Sequence, residues 1–123
     1  MSPAQSDLVV AGGGLAGIVT ALEALRAGLR VTLVDRDTPE RFGGLALWAF
    51  GGMALVGTPL QARMKIPDSP ERAWEDWVRF GELQAEAPGS PRLQWARHYV
   101  DRSRADVHDW LLAEGIKFMP AVN

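Results

Sequence analysis

Glycine is concentrated in one short segment near the start of the chain, where residues 12–17 read GGGLAG. Gly12, Gly14 and Gly17 fit the pattern G-x-G-x-x-G, and apolar residues lie on both sides of it. In this pattern the first glycine permits a tight turn, and the second lets the backbone approach a pyrophosphate without a Cβ in the way. The third lets the next helix pack closely, and the free N–H groups at that helix N-terminus bind the phosphates. The segment therefore predicts a pyrophosphate site.

Asp35 is the second candidate for chemistry, because it follows the glycine segment by about 20 residues. An acid at this spacing can accept hydrogen bonds from both ribose hydroxyls of an adenosine. Its negative charge repels a 2′-phosphate, which disfavours NADP. Arg36 beside it is predicted to be solvated or stacked on adenine rather than bound to phosphate. Together these residues predict dinucleotide binding.

Both candidates need a strand–helix–strand scaffold, and the flanking sequence predicts one. Residues 7–11 and 30–35 are short, β-branched apolar runs that predict buried strands. Residues 15–27 carry apolar side chains at spacings of three and four, which predicts a helix ending at Gly28. The helical crossover makes the strands parallel, and such strands suit a sheet covered on both faces. The predicted fold class is α/β, with a Rossmann-like βαβ start and added helices.

The rest of the chain predicts mainly loop and helix. Residues 37–57 contain two glycine doublets without helical or strand periodicity, which predicts an ordered loop with a short helical turn. A helix with its N-cap at Ser69 runs to Phe80, and a long helix covers residues 92–113. Residues 116–119 are predicted to begin another strand.

The remaining polar and aromatic side chains predict packing rather than catalysis. Tyr99 falls on the apolar face of the long helix, whereas His98 and His108 are predicted to lie on its surface. Glu75 and Arg79 are spaced to pair across one helical turn on a solvated face. The tryptophans of the helices are predicted to be core residues, some of which a fragment would leave exposed: Trp74, Trp77, Trp95 and Trp110.

The glycine motifs and one later segment resemble the N-terminal FAD-binding region of the fumarate reductase / succinate dehydrogenase flavoprotein superfamily. The resemblance is strongest to bacterial FAD-binding dehydrogenases related to 3-ketosteroid Δ1-dehydrogenases, and it covers essentially the whole chain. The residues that carry it are Gly12, Gly14, Gly17, Asp35, the doublets Gly43-Gly44 and Gly51-Gly52, and residues 109–118 (DWLLAEGIKF).

The resemblance implies FAD as cofactor and a small-molecule substrate. The whole enzyme would move a hydride between flavin N5 and a substrate carbon, forming or reducing a C–C double bond next to a carbonyl. In the family the segment between the doublets wraps the pyrophosphate and the flavin. The implied cofactor-binding residues are Gly12, Gly14, Leu15, Ala16, Gly17, Asp35, Arg36, Gly43, Gly44, Leu45, Ala46, Gly51 and Gly52.

Residues 45–50, between the doublets, depart from the family pattern. They contain no histidine, the residue that several relatives use as a covalent anchor, so the flavin is predicted to be noncovalent. They also contain no serine or threonine, so backbone N–H groups would bind the cofactor there. Residues 41–44 match the start of the amine-oxidase pattern R-x-G-G-R, but Leu45 replaces its second arginine. An amine-oxidase or desaturase type of flavoprotein is therefore the second family.

Relatives of this kind are several hundred residues long. Residues 1–123 are therefore expected to be a fragment, the N-terminal part of an FAD-binding domain, with a helical region from about residue 60 leading toward a substrate domain. No catalytic residue is assigned within the chain. A noncatalytic module that binds ADP-containing nucleotides is the alternative from another functional class.

Composition narrows the remaining classes of function. A net charge of −2 gives no basis for binding nucleic acid, and the absence of cysteine excludes disulfides and thiolate catalysis. Two histidines are too few to indicate a metal site. No apolar run approaches the roughly 18 residues that cross a bilayer, and the first residues do not form a secretory signal. The predicted location is the cytoplasm, and the sequence carries no signal for an oligomeric state.

Overall fold

A two-stranded parallel sheet with a helical crossover forms the first part of the chain in the computed structural model, which describes residues 5–120. Its elements are β1 (Leu8–Ala11), α1 (Leu15–Arg26) and β2 (Val31–Val34). The register pairs Ala11 with Val34, so both strands end at one edge of the sheet. Gly12 and Asp35 follow these ends directly, which confirms the predicted βαβ arrangement and places the two candidate residues side by side.

Only the face of the sheet toward α1 is covered within the described residues. Val10 on that face is 8% exposed, whereas Val9 on the other face is 62% exposed. Strands of this apolar type suit a sheet covered on both faces, and the described part of this chain covers one of them. A parallel sheet needs a helix layer on each side, and α1 is the one helix between these strands.

The loop after β2 contains two short 3₁₀ turns, Pro39–Arg41 and Gly44–Trp48. This confirms the prediction of an ordered loop with little regular structure. The chain divides into two compact units at the boundary between Gly52 and Met53.

The second unit is helical in its described part. Its elements are α2 (Pro59–Arg63), α3 (Pro70–Phe80), a 3₁₀ turn (Leu83–Ala85), α4 (Pro91–Arg102), a π-helical segment (Ser103–Asp109) and α5 (Trp110–Ala113). The Ser69 side chain accepts a hydrogen bond from the Arg72 N–H at 3.2 Å, which confirms it as the N-cap of α3. Helices α3 and α4 meet through Trp77 and Tyr99, whose ring centroids lie 5.4 Å apart.

The cores of the two units are built from small apolar side chains. The buried apolar residues in the described chain are Val10, Ala21 and Ala24 in the first unit and Val56, Leu83, Ala96 and Val100 in the second. Of the helix tryptophans predicted for the core, Trp95 is 73% exposed, and exposure of some of them is expected for a fragment. The side chain of Trp77 is 39% exposed, and those of Trp74 and Trp110 are half-buried. Tyr99 is half-buried too, and its hydroxyl donates to the Ala54 carbonyl at 2.9 Å.

His108 is 5% exposed, so its predicted place on the helix surface is wrong. The reason is the π-helical segment. In an α-helix Ser103 and His108, five residues apart, would lie about 140° apart around the axis. The i→i+5 bonds of a π-helix bring both to the same side, where both are buried. The His108 ring stacks on Phe118 at 4.9 Å between ring centroids, and its Nδ1 lies 2.6 Å from an Asp109 carboxylate oxygen.

Two further sequence expectations are wrong. Residues 116–119 form no strand in the described chain; instead the Ile116 N–H donates to the Leu111 carbonyl at 3.0 Å, which closes the end of α5. Arg79 pairs with Asp76, three residues away, rather than with Glu75. Among the described helices, none is both long and apolar enough to cross a membrane.

Candidate cofactor-binding site

The glycine turn joins β1 to α1 with almost no space between backbone segments. Gly12 has a φ of +107°, which side-chain-bearing residues rarely adopt, and its N–H donates to the Val34 carbonyl at 2.7 Å. A Cβ on Gly17 would overlap the Gly12 carbonyl oxygen. The first turn of α1 is therefore in direct contact with the backbone that leaves the sheet, as the glycine pattern predicts.

The N-terminus of α1 is open to an anion. Gly14 is the N-cap, so no side chain occupies the position that accepts the first N–H groups, and the first turn contains no acidic residue. A Cβ on Gly14 would have no atom within 4 Å in the described chain, and Leu15 and Ala16 beside it are exposed. Free N–H groups and the helix dipole favour negative charge here. The geometry fits the pyrophosphate of a dinucleotide.

Asp35 lies against the same turn. Its carboxylate accepts hydrogen bonds from the Gly13 N–H and, at 2.7 Å, from the Asp37 N–H. These two bonds hold the pKa of Asp35 below its ordinary value of 3.8, and the bond from Gly13 has the larger effect. The carboxylate is therefore ionised at neutral pH and can accept hydrogen bonds from a ribose.

The first glycine doublet packs on the turn. Gly43 has a φ of +122° and lets the chain fold back after Phe42, whose ring covers Gly13. A Cβ on Gly44 would lie 3.4 Å from the Gly14 Cα, so the two backbones are nearly in contact. The doublet is thereby placed beside the open N-terminus of α1.

One cleft of about 630 Å³ is bordered by Gly12 of the glycine turn, by Asp35 and by Gly44 of the first doublet. Five predicted cofactor-binding residues line it: Gly12, Asp35, Arg36, Gly44 and Leu45. Its walls also include Asp37, Arg41, Leu47 and Trp48, which the sequence prediction did not include. A sequence signal existed for Arg41, since it opens the R-x-G-G segment.

The second doublet has different surroundings. Gly51, with a φ of +83°, has no atom near a hypothetical Cβ in the described chain, and Gly52 lies against the Phe50 ring. Eight other predicted cofactor-binding residues are not among the described residues that line the cleft: Gly14, Leu15, Ala16, Gly17, Gly43, Ala46, Gly51 and Gly52. The structure thus brings the first doublet, and not the second, to the glycine turn.

Comparison with known proteins agrees with this geometry. Residues 7–122 match the family profile described as FAD binding domain. The chain is 41% identical over 117 residues to a KsdD-like steroid dehydrogenase of Mycobacterium tuberculosis, covering 95% of this chain and 20% of that protein.

Two solved structures share the fold. One is a 3-ketosteroid-Δ4-(5α)-dehydrogenase from Rhodococcus jostii RHA1 in complex with 4-androstene-3,17-dione, with a TM-score of 0.75 and 33% identity over 93% of this chain and 22% of that chain. The other is the open conformation of a flavocytochrome c3 fumarate reductase, with a TM-score of 0.73 and 31% identity over 93% of this chain and 19% of that chain.

The chain belongs to the FAD binding domain family. It is an FAD-binding domain of the type found in flavin-dependent dehydrogenases and reductases, with FAD as cofactor, and this confirms the resemblance drawn from the glycine motifs. The chain spans about a fifth of the length of the relatives it matches.

Proposed function

We propose that this chain holds FAD noncovalently through the glycine turn, Asp35 and the first doublet, within an oxidoreductase that acts on a C–C bond next to a carbonyl. The observation that carries the proposal is the approach of Gly44 to Gly14 at the uncapped N-terminus of α1. Two glycine backbones meet there beside open space, where a pyrophosphate can contact N–H groups from both.

Each part of this site has a separate task. The N–H groups of Gly14, Leu15, Ala16 and Gly17 bind the pyrophosphate from the helix side, and those of Gly43 and Gly44 bind it from the loop side. Asp35 accepts hydrogen bonds from the ribose hydroxyls, and Arg36 beside it stacks on the adenine. These roles extend the contacts that Asp35 and Gly44 already make with the turn.

The segment between the doublets is proposed to contact the flavin ring. Leu45, Trp48 and Phe50 are 88%, 83% and 94% exposed, a large apolar surface for a segment of six residues. Bound flavin supplies hydride transfer at N5. The apolar segment excludes water from one side of the ring, and the backbone of Ala46, Gly51 and Gly52 supplies its polar contacts.

The substrate of the whole enzyme is proposed to be a small carbonyl compound of steroid type. The support is the 41% identity to a steroid dehydrogenase and the likeness to a dehydrogenase solved with 4-androstene-3,17-dione. No residue of this chain is proposed as the catalytic acid or base. Reduction of a phenazine dye by the purified protein with 4-androstene-3,17-dione, against fumarate reduction with reduced viologen, tests this choice.

Flavin release tests the cofactor proposal. The purified whole enzyme is expected to show a flavin absorption band, and acid precipitation is expected to move all of the flavin to the supernatant. Colour that stays in the pellet would contradict noncovalent binding. A protein that binds ADP but not FAD would instead be the noncatalytic nucleotide-binding module.

A further inference from the structure

The cleft beside the glycine turn contains charges of both signs. Asp35 and Asp37 line it, and so do Arg36 and Arg41. A bound pyrophosphate would add negative charge close to the two carboxylates, and the partial charge of about +0.5 at a helix N-terminus does not balance that repulsion. A cationic side chain beside the phosphates would reduce this repulsion and would add to the hydrogen bonds from the backbone N–H groups.

Within the described residues, neither of the two cleft arginines forms an ion pair with a carboxylate. Ion pairs within the described residues involve Arg26, Arg30, Arg79, Arg92, Arg97 and Arg102. Neither Arg36 nor Arg41 forms an ion pair within residues 5–120. Their charges are available to a ligand, and both border the same cleft.

Arg41 directly precedes the segment that packs on the glycine turn. Its N–H donates to the Thr38 carbonyl at 2.9 Å, which closes the 3₁₀ turn. On its C-terminal side, the Phe42 ring packs on Gly13 and Gly44 approaches Gly14. Arg41 is therefore held between its own 3₁₀ turn and a segment that packs on the glycine turn, whereas Arg36 directly follows Asp35, the proposed ribose ligand.

We propose that Arg41 is a phosphate-binding residue that neutralises the FAD pyrophosphate, an assignment that rests on the proposed function. A planar guanidinium can donate two parallel hydrogen bonds to phosphate oxygens, which an ammonium group cannot reproduce. Arg41 thereby offsets the repulsion from Asp35 and Asp37, and it selects ligands with a diphosphate over ligands with adenosine alone.

Binding of ADP and of adenosine to the purified protein, freed of flavin, tests the assignment. R41Q is expected to weaken ADP binding about tenfold or more, the order for one charge-assisted hydrogen bond, and to leave adenosine binding within twofold. R41K is expected to lie between the wild type and R41Q. R72Q, which removes the same charge from exposed helix α3, is expected to bind both ligands like the wild type.

The other possible results distinguish a failure of the Arg41 assignment from a failure of the proposed function. R41Q that binds ADP as tightly as the wild type, with an unchanged melting temperature, overturns the role of Arg41 and leaves the proposed function intact. Equal loss of ADP and adenosine binding in R41Q and R41K also overturns it, because a general disturbance of the cleft would explain both. A wild-type whole enzyme that binds neither ADP nor FAD overturns the proposed function itself.

Discussion

The two glycine doublets have the same form in the sequence and different surroundings in the structure. Gly44 nearly touches Gly14 at the start of α1, while Gly51 has open space around the position of a Cβ. Both adopt positive φ angles, +61° and +83°, so backbone strain does not distinguish them. What distinguishes the first doublet is the second backbone against which it packs. The surroundings of a glycine doublet therefore depend on the backbone packed against it as well as on its own φ angles.

The largest expected effect comes from the position that both the helix and the first doublet approach. Gly14→Val should abolish FAD retention, because its side chain would fill the space left for the pyrophosphate. Folding should survive, since Gly14 has a φ of −77° and no atom within 4 Å of a Cβ. Flavin per chain and a thermal melt measure the two effects. Full flavin occupancy in a folded variant would show that the pyrophosphate does not lie between Gly14 and the first doublet.

Substitution of Asp35, the proposed ribose ligand in the same cleft, is expected to have the next largest effect. Asp35→Asn should weaken ADP and FAD binding alike by about tenfold, the order for one charge-assisted hydrogen bond lost. Isothermal titration with both ligands gives the two ratios. An affinity change below about twofold, well under the effect of one such bond, would show that Asp35 is not the ribose ligand.

The pH dependence of stability follows from the lowered pKa of the same carboxyl group. Because the folded-state pKa is below 3.8, the contribution of Asp35 to stability is present above that pH and is lost as pH falls through the folded pKa. The difference in free energy of unfolding between the wild type and Asp35→Asn should be constant from about pH 8 to about pH 5 and shrink below 3.8. Urea unfolding at several pH values measures it. A difference that grows on acidification would contradict the bonds from Gly13 and Asp37.

The smallest expected effect comes from substituting one glycine of each doublet, which compares the two doublets directly. Gly44→Ala and Gly51→Ala place the same methyl group at similarly strained positions, each at a stability cost of about 1–2 kcal/mol. Gly44→Ala should weaken ADP and FAD binding several-fold, because the methyl group lies beside Gly14. Gly51→Ala should leave ADP binding unchanged and affect FAD alone, through the flavin ring. Equal loss of ADP binding in both variants would place the second doublet at the pyrophosphate as well.

The site could be predicted where its determinants are local in sequence. The turn, α1 and Asp35 follow from glycine spacing and from the apolar strands around them, so the βαβ arrangement was predictable. Arg41 was visible in the R-x-G-G segment, but its place in the cleft depends on the fold-back at Gly43, which no short pattern specifies. Helix α2 was missed despite a sequence signal, since Thr58 and Gln61 form a capping box at its start.

His108 shows a different limit. Sequence periodicity assumes 3.6 residues per turn, and that assumption places His108 on the surface of a continuous α-helix. The π-helical segment changes the angular position of every residue after it, and nothing in the local residue types announces the change. The absent strand at residues 116–119 has a related cause, because a strand needs a partner and the described part of the second unit contains none.

Because the two cores contain small side chains and several large aromatic ones lie outside them, the heat-capacity change of unfolding is affected. Unfolding raises the heat capacity mainly by wetting apolar surface, and the usual value is about 12–15 cal/mol/K per residue. Trp48, Phe50, Phe80 and Trp95 are already largely in water, so they add little to that change. The stability curve of this chain should therefore be flatter than its length suggests, with a broad calorimetric transition and a low sensitivity to urea.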